Sequence, residues 1–434
     1  MLRRRGILFS GFYAVFHYLH SIVAFGIICR GHFVAAFVIV PESRRISICT
    51  MKEEKKEDAC VKVMSSSPCF SMGIIADIQF ADIPDGHSYS GQPRYYRHSL
   101  EVARYAFEQF QESKVGLVVN LGDIIDGKAQ AMHEHGGEKL GDEHDPGHYS
   151  LDLVLDALSV YTHGPILHSY GNHCLYNLDR QTLNERLGIP FQVENDGEAE
   201  WVGYYSHRIE MLGNGKSSLS SMRLIFLDAY DVAMMQRCPE TSRKHQEAVE
   251  ILKQNNPYNF ADGNINSPEG LDGLQRRFVA FNGALGTRQL EWLRKELEHS
   301  RRANEKVIIM SHNPIHPDSS SPICLIWNFD EVLGILRDFS DVVVASFSGH
   351  AHKGGYVRDL ESGIHFRVFE AVLESQPEKT FAVIDFCRGL GNDSENAADE
   401  KPRLVVRGFG NCESAVYDFD HTAQTGRSDS SSVE

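Results

Sequence analysis

Eight polar residues fall in five short clusters along this chain: Asp77 and Gln79, Asp123, Asn172 and His173, His312, and His350 and His352. Each cluster closes an apolar run that reads as a strand, as in MGIIADIQ, VGLVVNLGD, PILHSYGNH, KVIIMSHN and VVVASFSGHAH. In an extended chain Asp77 and Gln79, two apart, face the same way. Asp123 and Asn172 each follow a glycine, which permits a tight loop. Together the clusters offer carboxylate, amide oxygen and imidazole and require no thiolate. That set suits borderline to hard divalent ions such as Mn, Fe or Mg better than structural zinc. So many ligands imply two ions, because a carboxylate can bridge metals roughly 3.5–4 Å apart, the separation used for in-line displacement at phosphorus. Such a pair would activate a bridging hydroxide and polarise phosphoryl oxygens. Asn172 would lend its carbonyl oxygen to one ion. His173 suits a donor to developing charge, or an acid toward the leaving oxygen, better than a ligand. Alone, a His-x-His pair is commonly a surface feature and a strand-ending Asp a helix cap. It is the five clusters in order, each at a strand end, that point to a binuclear centre.

The elements that must position these residues follow from periodicity. From Met72 strand and helix alternate. YRHSLEVARYAFEQF sets Leu100, Ala103, Phe107 and Phe110 along one helical side. SLDLVLDALSV and TRQLEWLRKELEHS read as further helices, and HFRVFEAVLE, TFAVIDF and RLVVRGF as later strands. Strands and helices first, then mostly strands, predict a layered α/β sandwich of two packed sheets flanked by helices. In such folds ligands gather at the carboxyl ends of the strands, where all five clusters fall. Residues 184–220 and 237–283, rich in Gly, Asn, Pro and charge, read as insertions or lids. No internal repeat is evident.

The chain has 434 residues, 42% hydrophobic and 24% charged, which is ordinary globular composition. Its formal charge of -16 and pI near 5.7 oppose general nucleic-acid binding, because phosphate backbones repel it. The nine cysteines form no CxxC pair, so neither a zinc ribbon nor a dense disulfide framework is indicated. Free thiols in a reducing compartment are the expectation. The first sixty residues differ from the rest. Arg3 to Arg5 precede an apolar run from Gly6 to Cys29, with a second from Phe33 to Val40 and no acidic residue before Glu42. Three readings compete: a signal or signal-anchor helix, a basic organelle-targeting segment, or a stretch outside the working protein, with translation starting at Met51. His17 and His20 weaken a membrane span. The third reading is preferred and predicts a cytoplasmic protein; a membrane-anchored or secretory protein follows only if residues 6–40 are retained. Residues 419–434 read as a disordered tail, and 391–401 as a charged loop.

The motifs D-x-[HQ], GDxxD, GNH, a later H, and GHxH in this order resemble the calcineurin-like metallophosphoesterase superfamily. The segments IADIQFAD, RYYRHSL, NLGDIIDG, GNHC, FNGALGTRQLEWL, SHNPIHPDSSSPICLIWNFDEVL and GHAHKGGY are similar to the manganese-dependent ADP-ribose/CDP-alcohol diphosphatases. The resemblance spans residues 69–418, taken as one catalytic domain, and is poor across 127–150, 192–220 and 237–270. It implies a four-layer α-β-β-α sandwich of two mixed sheets. It also implies one ion on Asp77, Gln79, Asp123 and His352, another on Asp123, Asn172, His312 and His350, and Asp123 between them. Gln79 departs from the wider superfamily, which usually has histidine there. An amide oxygen in place of a nitrogen hardens the site and agrees with manganese as the preferred ion, with Mg or Fe as alternatives. The implied reaction is hydrolysis of the diphosphate in ADP-ribose and in CDP-alcohols such as CDP-choline. Small nucleotides are the expected partners, and a monomer the expected state. A cyclic-nucleotide or other phosphodiester hydrolase on the same residues, and a silent nucleotide-binding module, are the alternatives.

Substrate contacts are less constrained. DGHSYSGQPRYYRHS brings Tyr89, Arg94, Tyr95, Tyr96 and Arg97 near the rim, where aromatics could stack a base and arginines could pair with a diphosphate. Tyr89 and Arg94 are the candidates; Tyr95 and Tyr96 read equally as core, and Arg97 as solvated. Cys324 lies after the His312 segment, either lining the pocket or buried and inert. Asp126 and Asn313 could orient ligands or cap loops. His133, His135, His144 and His148 crowd a Gly-rich, charged tract that reads as a mobile surface insertion.

Overall fold

The computed structural model describes residues 24–28, 34–38, 68–135, 145–190, 192–193, 199–211, 221–234, 237–387 and 402–419. The chain divides into two compact units, Met1–Val63 and Met64–Glu434. In the first, Ala24–Ile28 and Val34–Val38 pair as antiparallel strands. The remainder of the apolar N-terminal stretch, the 391–401 loop and nearly all of the 419–434 tail lie outside the described residues. Among those described, no helix is long and apolar enough to cross a membrane.

The second unit begins with β1 (Phe70–Ile75), helix α1 (His98–Glu112), β2 (Leu117–Asn120), α2 (Pro146–Leu158), β3 (Ile166–His168) and the short helix α3 (Asn172–Asn177). There follow β4 (Tyr205–Glu210), β5 (Ser221–Leu227), α4 (Arg243–Asn255), α5 (Thr287–Arg302), β6 (Lys306–Ser311), α6 (Phe329–Asp338), β7 (Val343–Ser348), β8 (Gly355–Arg358) and β9 (His365–Val368). Strands β10 (Phe381–Cys387), β11 (Arg403–Phe409) and β12 (Ala415–Asp418) complete it. Two six-stranded sheets result, ordered β12-β11-β10-β1-β2-β3 and β4-β5-β6-β7-β9-β8. In the first, β1, β2 and β3 are parallel and β10 to β12 antiparallel. In the second, β5, β6, β7 and β9 are parallel and the edges β4 and β8 antiparallel. Both sheets are mixed, as the family resemblance implies.

The parallel strands are mostly buried, as expected of strands covered on both faces. Every residue of β2 and β7 is buried. Helix α1 buries Val102, Ala103, Ala106, Phe107 and Phe110 along one side, the spacing expected of a helix lying on a sheet. Asp145 caps α2 by accepting from the Gly147 and His148 N–H groups, ahead of Pro146 in the first turn. The histidine-rich tract is therefore helical at both ends: His133 and His135 fall in the 3-10 helix Gly127–His135 and His148 in α2, while residues 136–144 lie outside the described residues. Residues 237–283, an insertion by composition, are built of helices. They pack Ala248, Leu252, Phe278 and Ala280 with Val232, Met234, Ala284 and Trp327 into a small core of their own.

The two sheets are joined at both edges. On one side the Tyr205 hydroxyl of β4 donates to the His168 carbonyl of β3 (2.9 Å) and accepts from the His168 N–H (3.1 Å). On the other, His365 of β9 donates from Nε2 to the Asp418 carbonyl of β12 (3.0 Å), and the rings of Tyr356 and Tyr417 stack with centroids 5.1 Å apart. Tyr205 thus satisfies the outward backbone groups of an edge strand that would otherwise be buried unpaired. Tyr205→Phe should destabilise the fold by about 1–3 kcal/mol, the cost of orphaning buried groups. Urea unfolding should register this as a lower midpoint at unchanged m.

Candidate metal centre

The strands deliver the five clusters to one place. Asp77 and Gln79 follow β1, Asp123 follows β2, and Asn172 and His173 open α3 after β3; His312 follows β6, and His350 and His352 follow β7. The first three groups come from one sheet and the last two from the other, so the centre lies where the carboxyl ends of both sets of parallel strands converge. Asp77, Gln79, Asp123, Asn172 and His312 are buried. Asp123, His312 and His350 offer ligand atoms within 4.8 Å of one another.

The backbone is bent to achieve this. Among the described non-glycine residues, six have positive φ; four are Asp77 (52°), Gln79 (45°), Asp123 (51°) and His350 (65°). The other two, Lys114 and Asn304, follow the C-termini of helices, where such angles are routine. A left-handed conformation costs an ordinary residue roughly 1–2 kcal/mol, so strain is concentrated at the candidate ligands. Backbone bonds between the loops hold it: Asp77 N–H donates to the Gly122 carbonyl (3.2 Å) and Gln79 N–H to the Asp123 carbonyl (2.8 Å). Two glycines preceding candidate ligands are demanded by close approach. A Cβ on Gly171 would stand 2.0 Å from Asp123 Oδ1, and one on Gly349 2.6 Å from Asp77 Oδ2.

Each buried carboxylate accepts from another ligand segment. Asp77 takes the His350 N–H on Oδ2 (3.0 Å), and Asp123 takes the His173 N–H on Oδ1 (2.7 Å). Gln79 donates through Nε2 to Asp123 Oδ2 (2.9 Å), which leaves Gln79 Oε1 buried without a hydrogen-bond partner. The histidine rings are oriented by their outer nitrogens. His312 donates from Nδ1 to the Leu121 carbonyl (2.8 Å), and its Nε2 is buried and unpartnered, 3.2 Å from Asp123 Oδ2. His352 meets Glu374 Oε1 through Nδ1 (2.7 Å) and turns Nε2 toward Asp77 Oδ1 (3.5 Å). His350 donates from Nε2 to Asn282 Oδ1 (3.0 Å), which leaves Nδ1 free to ligate. The orphaned amide oxygen and imidazole nitrogen, aimed among buried carboxylates, fit a divalent ion.

Asp123 is held below the usual carboxylate range. Burial pushes it up, but His312 and His173 beside it, the His312 hydrogen bond and His350 overcome that. Burial and the neighbouring His312 charge press His350 well below the ordinary imidazole value. His352 goes the other way, to about 9: burial opposes it, but hydrogen bonds to Asp77 and Glu374 dominate.

His173 differs from the other rings. Its Nδ1 accepts from the Gly127 N–H (2.8 Å), so the neutral ring carries its proton on Nε2. Asp126 Oδ2 lies 3.2 Å from the same Nδ1, while Asp126 Oδ1 accepts from the Lys128 N–H (2.8 Å). Asp126 therefore caps its loop, one of the two roles the sequence leaves open, while its Oδ2 is buried without a hydrogen-bond partner. Asn313 Nδ2 donates to Asn282 Oδ1 (3.0 Å) and so supports His350 at one remove.

Three supporting residues were not recognisable as such in the sequence: Glu374, Asn282 and Tyr230. Tyr230 is fully buried and donates to Asn172 Oδ1 (3.1 Å). Asn282 lies in FNGALG, a segment with no metal-type residue, and Glu374 reads as an ordinary strand-end acid. Nothing in their spacing marks them.

On the substrate side, Tyr89 stands fully exposed in the loop of the hairpin Gly86–His87/Pro93–Arg94. Arg94 lies between two supporting acids, 3.9 Å from Asp126 Oδ2 and 3.8 Å from Glu374 Oε1, so it reaches the edge of the centre. Tyr96 is buried, Tyr95 half-buried, and Arg97 pairs with Asp82 at 2.6 Å. Cys324 occupies a 3-10 turn whose carbonyl accepts from Asn313 (3.1 Å). Burial pushes its thiol up to about 12, which makes it inert as a nucleophile.

Residues 70–354 match the calcineurin-like phosphoesterase family. The chain is 38% identical to a rice protein named manganese-dependent ADP-ribose/CDP-alcohol diphosphatase over 318 residues, 73% of this chain and 88% of that protein. A human protein of the same name is 35% identical over 322 residues, 72% of this chain and 86% of that protein. A crystal structure of a dimetal phosphatase from Danio rerio superposes with a TM-score of 0.67 at 32% identity, covering 82% of this chain and 100% of that one.

Gly171→Ala should displace Asp123 and abolish tight binding of divalent ions; calorimetric Mn titration comparable to that of the unaltered chain would contradict the packing argument. Glu374→Ala should weaken Mn binding about 10–100-fold, the usual cost of losing a ligand's outer partner. The same titration reads it.

Proposed function

The chain belongs to the calcineurin-like phosphoesterases and, within them, to the manganese-dependent ADP-ribose/CDP-alcohol diphosphatase family, and we propose that it hydrolyses the diphosphate linkage of ADP-ribose and CDP-alcohols. ADP-ribose gives AMP and ribose 5-phosphate; CDP-choline gives CMP and phosphocholine. The observation that carries this reading is that every ligand-type position of the family pattern is present and drawn to one rim from both sheets.

Two divalent ions, manganese preferred, supply Lewis acidity at the phosphoryl oxygens and an activated water when bound. In this reading Asp77, Gln79, Asp123 and His352 hold one ion, and Asp123, Asn172, His312 and His350 the other. The unpartnered Gln79 Oε1 and His312 Nε2 support that assignment. His173 presents an Nε2 proton to the developing charge or the departing phosphate oxygen, and the Gly127 N–H fixes its ring. Arg94 is placed to pair with a substrate phosphate at the edge of the centre. The exposed Tyr89 ring is available to stack on a base, and Cys324 to line the pocket.

We further propose a monomer that acts in the cytoplasm on small nucleotides. All six described cysteines are free thiols, which suits a reducing compartment. The net charge of -16 disfavours nucleic acid as substrate.

The test is AMP release from ADP-ribose by the full-length chain, and by a chain beginning at Met51, with Mn, Mg or no added metal. Mn-dependent release by both is expected, and Asp123→Ala should eliminate it, since that carboxylate serves both ions. Turnover of cyclic nucleotides but not of ADP-ribose or CDP-choline would overturn the proposal.

A further inference from the structure

Arg237 is a buried cation that the mechanism above does not use. Its side chain is 1% exposed. Nη1 donates to the carbonyls of Met234 and Ala280, while Nε and Nη2 are buried without a hydrogen-bond partner. Among the described residues it forms no ion pair with a carboxylate. A guanidinium taken from water without a counter-ion is costly, so something else must compensate it. Two aromatic faces do: the guanidinium carbon lies 4.4 Å from the Tyr176 ring centroid and 5.3 Å from that of Tyr230. Desolvated cation–π contacts of this kind are the strongest of their class.

Both rings lead to the same corner of the metal centre. The Tyr230 hydroxyl donates to Asn172 Oδ1 (3.1 Å). An amide oxygen has two lone pairs, so this bond aims the other one. Tyr176, on the same short helix as Asn172 and His173, meets the His173 ring edge-on with centroids 5.7 Å apart and planes at 90°. The carbonyl of Arg237 also accepts from Arg180 Nε (2.9 Å), and Arg180 pairs with Asp228 at the end of β5. Arg237 thus ties α3 to the end of the second sheet and to the helical module preceding Asn282.

We propose that Arg237 is a positioning residue for the metal centre, clamping Tyr230 and Tyr176 so that the Asn172 carbonyl faces its ion and the His173 ring faces the phosphate. The proposal rests on the reading of Asn172 as a ligand. A residue that merely filled space would lower stability without altering metal affinity. A positioning residue alters metal affinity through Tyr230 and leaves KM for the nucleotide nearly unchanged.

Mn binding to the full-length chain is measured by calorimetry, without substrate, for Arg237→Met, Arg237→Lys, Tyr230→Phe and the two double variants. Arg237→Met should weaken one of the two Mn sites about 10-fold, as expected for the loss of a ligand's outer support. Arg237→Lys, which keeps the charge over the rings, should fall between that and the unaltered chain. In the Tyr230→Phe background neither substitution should weaken binding much further, because the path to Asn172 is already cut. Unchanged Mn affinity in the Arg237 variants, or the full 10-fold loss persisting in the Tyr230→Phe background, overturns the proposal. Should Arg237→Met fail to fold, Arg237→Lys carries the same comparison. Asn172→Ala separates the premises: if it leaves Mn affinity intact, the ligand assignment is at fault rather than the role of Arg237.

Discussion

Asp77 and Asp123 are both completely buried, and a carboxylate taken out of water must be matched by donors or cations. The matching is done by the other members of the same centre. The His350 N–H from the second sheet reaches Asp77, and the His173 N–H and the Gln79 amide reach Asp123, with His312 beside it. Because these donors come from different strands in different sheets, the two carboxylates can be compensated only when both sheets are packed with their carboxyl ends together. The edge contacts through Tyr205 and His168, and through His365 and Asp418, hold that packing. Folding and assembly of the site are therefore the same event.

That arrangement leaves the backbone little choice. Asp77, Gln79, Asp123 and His350 are driven into left-handed conformations, and Gly171 lies so close to Asp123 that no side chain fits. The cost falls on the loops, which are cross-bonded, and is borne by strands that are largely buried. This division suits a site that must hold ligands rigidly: strain persists only where its surroundings over-determine it. Divalent ions bound there would offset the crowding of negative charge that the protein itself only partly neutralises.

A second layer of residues decides how the candidate ligands present themselves. Glu374 fixes the tautomer and direction of His352, Asn282 those of His350, and the Leu121 carbonyl those of His312. Tyr230 does the same for the Asn172 amide. His173 is set apart by the Gly127 N–H, which leaves its far nitrogen to carry a proton. One protein thereby holds four histidines in distinct electrostatic settings, with His350 pressed below its ordinary value by burial and His352 lifted to about 9 by two acids.

The candidate ligands were legible in the sequence because each follows an apolar run that can only be a strand, and because strand ends share a rim. The helix α1 was legible for a similar reason: Ala103, Phe107 and Phe110 recur at helical spacing and are buried, with Leu100 packed at the margin. Those signals are local. Composition, however, made residues 237–283 look like an open insertion, since short helices around a small core carry no long periodic stretch. The supporting residues were not legible at all. Glu374 lies 22 positions from His352, Tyr230 58 from Asn172, and Asn282 68 from His350. By itself the sequence determined which atoms could bind metal and on which strands they stand, because residue type and alternation are local properties. Only the tertiary structure decided which nitrogen of each ring faces inward, which backbone angles are strained and which distant side chain supports each ligand, because those depend on how two sheets meet.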